Sequence, residues 1–418
     1  MRSRPDCAQI VERAEAHEGS TPFSITWLVT FAVSLSLSFC VYWVFWWTET
    51  RDMKLFQRPW FEHIVHYGPL GAFAHPFSNY TPAYLYLLAT ASLLHGSVEP
   101  MHIVKLLSVA GTVFAAFGVA NLIAAVDGDR KWAILLFTIP SVTINSALLA
   151  QCDALWAGSC AFAVAATIRA RTIQALFWCG LGIAFKMQAV FIAPFIFGAL
   201  IGRRAPLWQW TIPVLVFVGA MIPAWLAGWP ASQLAMIYPV QSTWFPFPGR
   251  LANPWMFETV FAPEAAEHYY WIGYSAAALS SIGIAALTRT SLSNPRSMLL
   301  LALLSSLALP FFLPKMLERY YFLADLLSFA LAVSFPNRRT VFIAIAVQLA
   351  SVLSLTSYIG AYFYAHPYPT LTGVALSSSA LLFTFLQSLR SATSAPSVIF
   401  DKAIPMTATA TPPIKSTR

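Results

Sequence analysis

Charge is scarce in this chain: 25 Lys and Arg and 17 Asp and Glu stand among 418 residues, 10% of the whole. A soluble domain carries roughly a quarter, so a surface built mainly to face water is excluded. The patterns GxxxxGK[ST], GxGxxG and HExxH are missing, and with them the usual motifs for nucleotide hydrolysis, dinucleotide binding and zinc proteolysis. Energy for any reaction then has to come from the substrate. Cysteine is sparse and unpatterned: Cys7, Cys40, Cys152, Cys160 and Cys179 mostly lie in or beside apolar runs with no CxxC spacing, which argues against a disulfide framework or a thiolate metal site. No internal repeat and no soluble domain is visible, and no cofactor is expected.

What fills the chain is hydrophobic sequence, 58% of residues with a mean hydropathy of +0.65. Long apolar runs of this kind are membrane-spanning helices, so the expected fold is all-α, a polytopic helical bundle of about 11 to 13 transmembrane helices. The first run, Pro22 to Trp47, is roughly twice a signal-peptide core and lacks a small-residue cleavage site, so it reads as a retained helix. Later runs lie at 101–126, 131–150, 153–170, 173–187, 189–202, 207–228, 268–288, 297–314, 320–335, 340–363 and 371–390. Residues 1–20 read as a cytoplasmic tail, 21–390 as the membrane domain, and the Ser-, Thr- and Pro-rich 391–418 as a disordered cytoplasmic extension.

The net charge of +8 does not point to nucleic acid, because the basic residues form short clusters between apolar runs. Arg130 with Lys131, Arg169 with Arg171, Arg203 with Arg204, Arg289 with Arg296, and Arg338 with Arg339 mark the cytoplasmic side by the positive-inside rule. That placement puts five other stretches outside: 48–80, 151–153, 186–188, 228–267 and 315–320. The segment 82–130 resists the scheme, since an odd number of crossings is needed and two apolar runs, 82–96 and 101–126, are visible. The runs between Thr172 and Gly202 are short for full spans and are expected to be tilted or broken at Lys186 to Gln188.

Most of the remaining polar chemistry lies in the five outside stretches. Glu49, Arg51 and Asp52 follow the first helix, and His75, Asn79 and Tyr80 close the same loop. Gln151 and Asp153 sit in NSALLAQCDALW, Lys186 and Gln188 in FKMQAVFIAPF, and Arg250 in the aromatic stretch WFPFPGRLANPW. Lys315, Glu318, Arg319 and Tyr320 sit in LPKMLERYY. Basic residues on the side where Lys and Arg are disfavoured form a grip for an anionic lipid headgroup. Simpler readings exist for each: snorkelling anchors for Lys and Arg, helix capping for Asp153, and mutual pairing for Lys315, Glu318 and Arg319. Lys186, midway through an apolar stretch, needs a partner. His63 and His66, at i and i+3, share a helical face, but no carboxylate set accompanies them, and no metal site is expected.

Taken in order, Glu49 and Asp52, SNYTPAYLYLL, NSALLAQCDALW, FKMQAVFIAP and LPKMLERYYFLAD resemble the GT-C membrane glycosyltransferases. Among these they are similar to bacterial mannosyltransferase-like proteins related to the second GPI mannosyltransferase. The resemblance spans most of residues 48–325 and departs at Leu317, where members often carry His, and at Cys152. It implies a polyprenyl-phosphate-linked sugar donor, a lipid or glycan acceptor, a first-loop acid as general base, and basic residues on the phosphate. The expected activity is inverting transfer of mannose or another hexose, with Asp52 as base and Glu49 in support. The expected place is a bacterial inner membrane, its lipids as neighbours and the site facing the periplasm or cell exterior. A transporter or flippase for a lipid-linked sugar is the alternative: the same basic cluster, with no bond made.

Overall fold

A computed structural model of the chain describes residues 25–243, 249–261, 266–363 and 368–393. The expectations for the tail 1–20, for most of 391–418 and for the aromatic WFPFP at 244–248 lie outside the described residues. Among the described residues the chain is helical and has no strand. In order the helices are α1 (Ile25–Trp46), α2 (Arg58–Tyr67), α3 (Pro82–Ala91), α4 (Pro100–Ala125), α5 (Pro140–Ala147), α6 (Asp153–Ile168), α7 (Thr172–Phe185), α8 (Ala193–Gly202) and α9 (Ile212–Leu226). They continue with α10 (Ala231–Thr243), α11 (Trp255–Phe261), α12 (Tyr270–Thr290), α13 (Pro295–Phe312), α14 (Phe322–Ser334), α15 (Arg338–Phe363) and α16 (Tyr368–Thr393).

Proline sets many of these starts. Pro82, Pro100, Pro140 and Pro295 each open a helix, where the ring supplies the helical φ and leaves no orphan N–H. The same ring forces the preceding residue out of the helical region: Thr81, Glu99 and Ile139 have ψ of 150°, 140° and 119°. That restriction corrects the reading of 131–150 as one span. The segment is a 3-10 stretch, Arg130–Thr138, followed by the separate α5.

Among the described residues seven helices are long and apolar enough to cross a membrane, covering Leu28–Trp46, Pro100–Ala125, Leu207–Leu226, Glu267–Thr290, Pro295–Phe312, Arg338–Thr356 and Pro369–Ser391. The chain is therefore a helical membrane protein. The expected count of 11 to 13 spans is not confirmed by these seven. Five further apolar helices, at Pro82–Leu94, Asp153–Ile168, Thr172–Phe185, Met187–Gly202 and Phe322–Ser334, have only 10–17 residues, short for a hydrocarbon core of about 30 Å at 1.5 Å per residue. The stretches read as outer loops are also partly helical: 48–80 holds a π-helical turn, Met53–Gln57, before α2, and 228–267 holds α10 and α11.

The helices differ sharply in what they face. In α13 83% of the apolar window is buried, against 6% in α1, so α13 is hydrophobic all round because protein surrounds it, while α1 turns Phe39, Trp43 and Val44 outward. Two apolar cores result. The larger joins α4, α6, α8, α13 and α14; the smaller joins α2, α3, the start of α4 and α9. Residues 150–156 run along the seam, with Cys152 in the smaller core and Trp156 in the larger. Close helix approach relies on glycine: a Cβ on Gly198 of α8 would stand 2.8 Å from Ala285 Cα and closer still to its carbonyl oxygen, in α12.

Gly198→Ala is therefore expected to force α8 and α12 apart and to lower stability by about 1–3 kcal/mol, the usual cost of overpacking. Gly219→Ala in α9, whose added methyl meets nothing within 4 Å, serves as the control and should leave stability unchanged or slightly raised. Thermal unfolding of the purified variants in detergent reads the difference.

Candidate active site

The site is built around one carboxylate. Asp153 is the first residue of α6, and the N-cap before it, Cys152, makes no side-chain capping bond. The Asp153 carboxylate is not a cap either, but the acceptor for donors from three directions. Asn145 Nδ2 donates to Oδ2 at 2.9 Å, Trp156 Nε1 to Oδ1 at 2.9 Å, and Lys186 Nζ to Oδ1 at 2.7 Å. Arg319 Nε lies 3.9 Å from Oδ2. The side chain is 1% exposed, where an unpaired charge would cost several kcal/mol. Lys186 reaches it because α7 ends at Phe185: Lys186 is extended (φ −161°, ψ 139°) before a 3-10 turn, Met187–Ile192. The break expected at Lys186 to Gln188 thus supplies the partner that Asp153 and Lys186 each need.

Arg319 carries the cluster outward. Its Nη1 donates to Asp52 Oδ2 at 3.1 Å, and its Nε lies 3.6 Å from Glu318 Oε1. Burial works against the guanidinium's charge, but Asp52, then Glu318 and Asp153, more than offset it and hold its pKa well above the usual value. The loop that delivers it leaves α13 at Phe312, where Pro314 keeps Leu313 extended (ψ 136°), and turns on Lys315 with φ +60°. A second backbone contact steadies this loop: Arg250 N donates to Met316 O at 2.9 Å, beside Gly249 at φ +126°. A Cβ on Gly249 would stand 2.8 Å from Met316 N, so glycine is required there.

Lys186, Asp153, Arg319 and Asp52 form an alternating row of charges. It runs from the interior to Asp52, whose side chain is 23% exposed against 1% for Asp153. Asp52 precedes the Met53–Gln57 turn and makes no capping bond with its side chain. Around the row, Tyr80 OH donates to Gln151 Oε1 at 3.3 Å, and Lys186 Nζ lies 5.4 Å from the centre of the Tyr80 ring. Burial pushes the Tyr80 phenol up, with Lys186 pulling the other way. Gln188 and Glu318 are buried and Tyr320 is half-buried against Phe191. Asn79 Oδ1, Gln188 Oε1 and Arg319 Nε are buried without a hydrogen-bond partner among the described residues, and such atoms collect where a ligand completes the bonding.

The remaining residues singled out in the sequence lie elsewhere. Glu49 does not share a helical face with Asp52, because residues 48–50 are not helical; it pairs with Arg58 Nη1 at 3.0 Å. Lys315 does not join Glu318 and Arg319, but places its Nζ 5.6 Å from the Tyr270 ring centre. His75, Arg51 and Arg250 are exposed. His63 stacks on Phe77 with Nε2 3.1 Å from Ala72 O, and His66 packs on Tyr67.

Sequence reasoning passed over Lys105. It is fully buried in α4, and its ammonium donates to the carbonyls of Phe45, Trp46 and Thr48, the last two at 2.9 and 2.7 Å. A cation at a helix C-terminus meets both the orphan carbonyls and the dipole, so Lys105 fixes the end of α1 and the approach to Asp52. The signal that singled out Lys186, a lysine inside an apolar run, was equally present here.

Lys186→Met leaves Asp153 without its shortest contact and is expected to lower stability by about 3–5 kcal/mol, as removing one member of a buried pair does. Adding Asp153→Asn to that variant should cost far less than Asp153→Asn alone, a coupling readable as a double-mutant cycle on unfolding in detergent; strictly additive losses would refute it. Compared with the known protein families and with curated proteins, the chain matches none.

Proposed function

We propose that the protein is a membrane glycosyltransferase of the GT-C type that moves a hexose from a polyprenyl-phosphate donor to a lipid or glycan acceptor. The observation that carries this reading is the Asp52–Arg319 contact at 3.1 Å. It joins the first-loop acid to the LPKMLERYY loop across 267 residues of sequence, within one cluster that also draws in the NSALLAQCDALW and FKMQAVFIAP segments. The motifs that resemble the family in order thus meet in space.

In this reading Asp52, the most exposed acid of the row, accepts the proton of the acceptor hydroxyl as that oxygen attacks the anomeric carbon. The bond from that carbon to the phosphate oxygen breaks with inversion, polyprenyl phosphate leaves, and the proton on Asp52 passes to solvent. A lipid phosphate is already a competent leaving group, so the protein's share is position, a base and charge neutralisation. In this proposal the phosphate grip is divided between two sets of residues. Lys186 and Arg319 face three carboxylates, Asp52, Asp153 and Glu318, so their charge is already balanced. Lys315, whose ammonium lies over the Tyr270 ring, adds positive charge on a neighbouring loop, as do the exposed Arg51 and Arg250, while Arg319 positions Asp52.

Asp52→Asn is expected to keep the fold and donor binding and to lose about a hundredfold or more in turnover, the range that removal of a general base gives. Glu49→Gln should cost much less, because Glu49 belongs to an ion pair with Arg58. Transfer of labelled hexose from a synthetic polyprenyl-phosphate donor by purified enzyme, with donor binding followed separately, makes the measurement. A fully active Asp52→Asn enzyme would falsify the assignment of the base, and donor binding without any transfer by the unmodified protein would favour the transporter.

The site is also proposed to face away from the cytoplasm. Gln241 Nε2 donates to Asn79 O at 2.9 Å, so the 48–80 and 228–267 segments share one face. Single cysteines at Ser78 and Ser242, in a background without native cysteines, should both react with an impermeant thiol reagent on intact cells. Protection of both until lysis would place the site inside.

A further inference from the structure

At the opposite end of the bundle from Asp52, three arginines share one concavity. Arg296, Asn337, Arg338 and Arg339 line an open hollow at the surface. It lies at the far ends of α13 and α14, and α13, with 18 residues, is roughly 27 Å long at 1.5 Å per residue. Among the described residues none of the three guanidinium groups forms an ion pair. Arg296 is half-buried with its guanidinium carbon 5.6 Å from the centre of the Phe335 ring, and its Nε is buried with no acceptor.

Snorkelling accounts for arginines that hold their charge in water or among headgroups. It does not account for a buried guanidinium nitrogen without an acceptor beside two more arginines, because that arrangement costs both desolvation and like-charge repulsion. An anion entering the concavity removes both costs. Several donors nearby are already committed: Asn294 Oδ1 accepts from Ser297 N, Asn337 Oδ1 accepts from Arg339 N and Thr340 N, and the Asn337 side-chain amide donates to Phe335 O. The guanidinium groups line the concavity, and their planar forks match tetrahedral oxyanions. The N-termini of α13 and α15 meet here, and their dipoles add to the positive field.

We propose that this concavity is a phosphate-binding site, separate from the Asp52 cluster, that takes a phosphate group from an anionic lipid headgroup or from a free phosphate. The test uses the full-length protein purified in neutral detergent. One arm measures the shift in thermal midpoint on adding inorganic phosphate at constant ionic strength; the other counts anionic phospholipid retained by native mass spectrometry after exposure to vesicles of mixed zwitterionic and anionic lipid. Arg296→Gln is expected to weaken whichever response the unmodified protein shows by about tenfold or more, as loss of a charge-assisted contact does.

A response to phosphate alone identifies a free anion, and retention of lipid alone identifies a headgroup. Arg203→Gln with Arg204→Gln, in a basic pair outside the concavity, should leave either response unchanged. If Arg296→Gln does not fold, Arg338→Gln with Arg339→Gln, both exposed, should show the same loss. No response in either arm, or equal losses from the Arg203 and Arg204 changes, would overturn the site and leave these arginines as topology signals only.

Discussion

The Asp153 carboxylate is the constraint on which the rest depends. It is buried at the seam between two apolar cores, and a charge there is tolerable only when donors surround it. Its three donors come from different parts of the chain, Asn145 from α5, Trp156 from α6 and Lys186 from the break after α7, and the charge of Arg319 comes within 3.9 Å from the loop after α13. Much that looks irregular follows from this. The extended Lys186, the left-handed Lys315 and Ala150 (φ +50°) are departures from helix that cost about 1–3 kcal/mol each for the left-handed pair, and they lie where backbone must turn to bring a side chain or carbonyl to the cluster. Gln57 Nε2 holds Ala150 O at 2.8 Å, so even the strained residue is tied to the segment that follows Asp52.

The charge balance of the row bears on the chemistry proposed for it. A cluster with more cation than anion would hold phosphate and leave little for a base; here two cations face three carboxylates, and the exposed end is an acid. The interior members act as a scaffold, and Arg319 is common to scaffold and site because it touches both Asp153 and Asp52. On the proposed function, positioning and substrate contact then fall to different members of one line of side chains.

Much of this was legible from single residues and their surroundings. A lysine inside an apolar run demands a partner, and proline before a charged segment ends a helix; these two rules point to the Lys186 and Arg319 segments, and the gap between two apolar runs points to the turn at Gln151 to Asp153. What was not legible was pairing. Nothing in the order of residues says that Glu49 prefers Arg58 to the Asp52 cluster, since the choice depends on where helicity begins at Arg51. Nor does composition say that Lys315 turns to Tyr270. The number of spans is not legible for a related reason: hydropathy sees α6, α7, α8 and α14 as apolar but does not say how long each helix is or what covers it.

The sequence distance between Asp52 and Arg319 also sets an order of assembly. At about 5–20 residues per second of synthesis, the 267 residues between them take on the order of tens of seconds to appear. During that interval the first segments exist without the arginine that later holds Asp52. The contacts available early are local: Glu49 with Arg58, nine residues apart, and Lys105 with the end of α1. Glu49 is thus already occupied when Arg319 is made, which leaves Asp52 as the uncommitted carboxylate for it to meet. The order of emergence from the ribosome thus favours the same pairing that the final structure shows, Glu49 with Arg58 and Asp52 with Arg319.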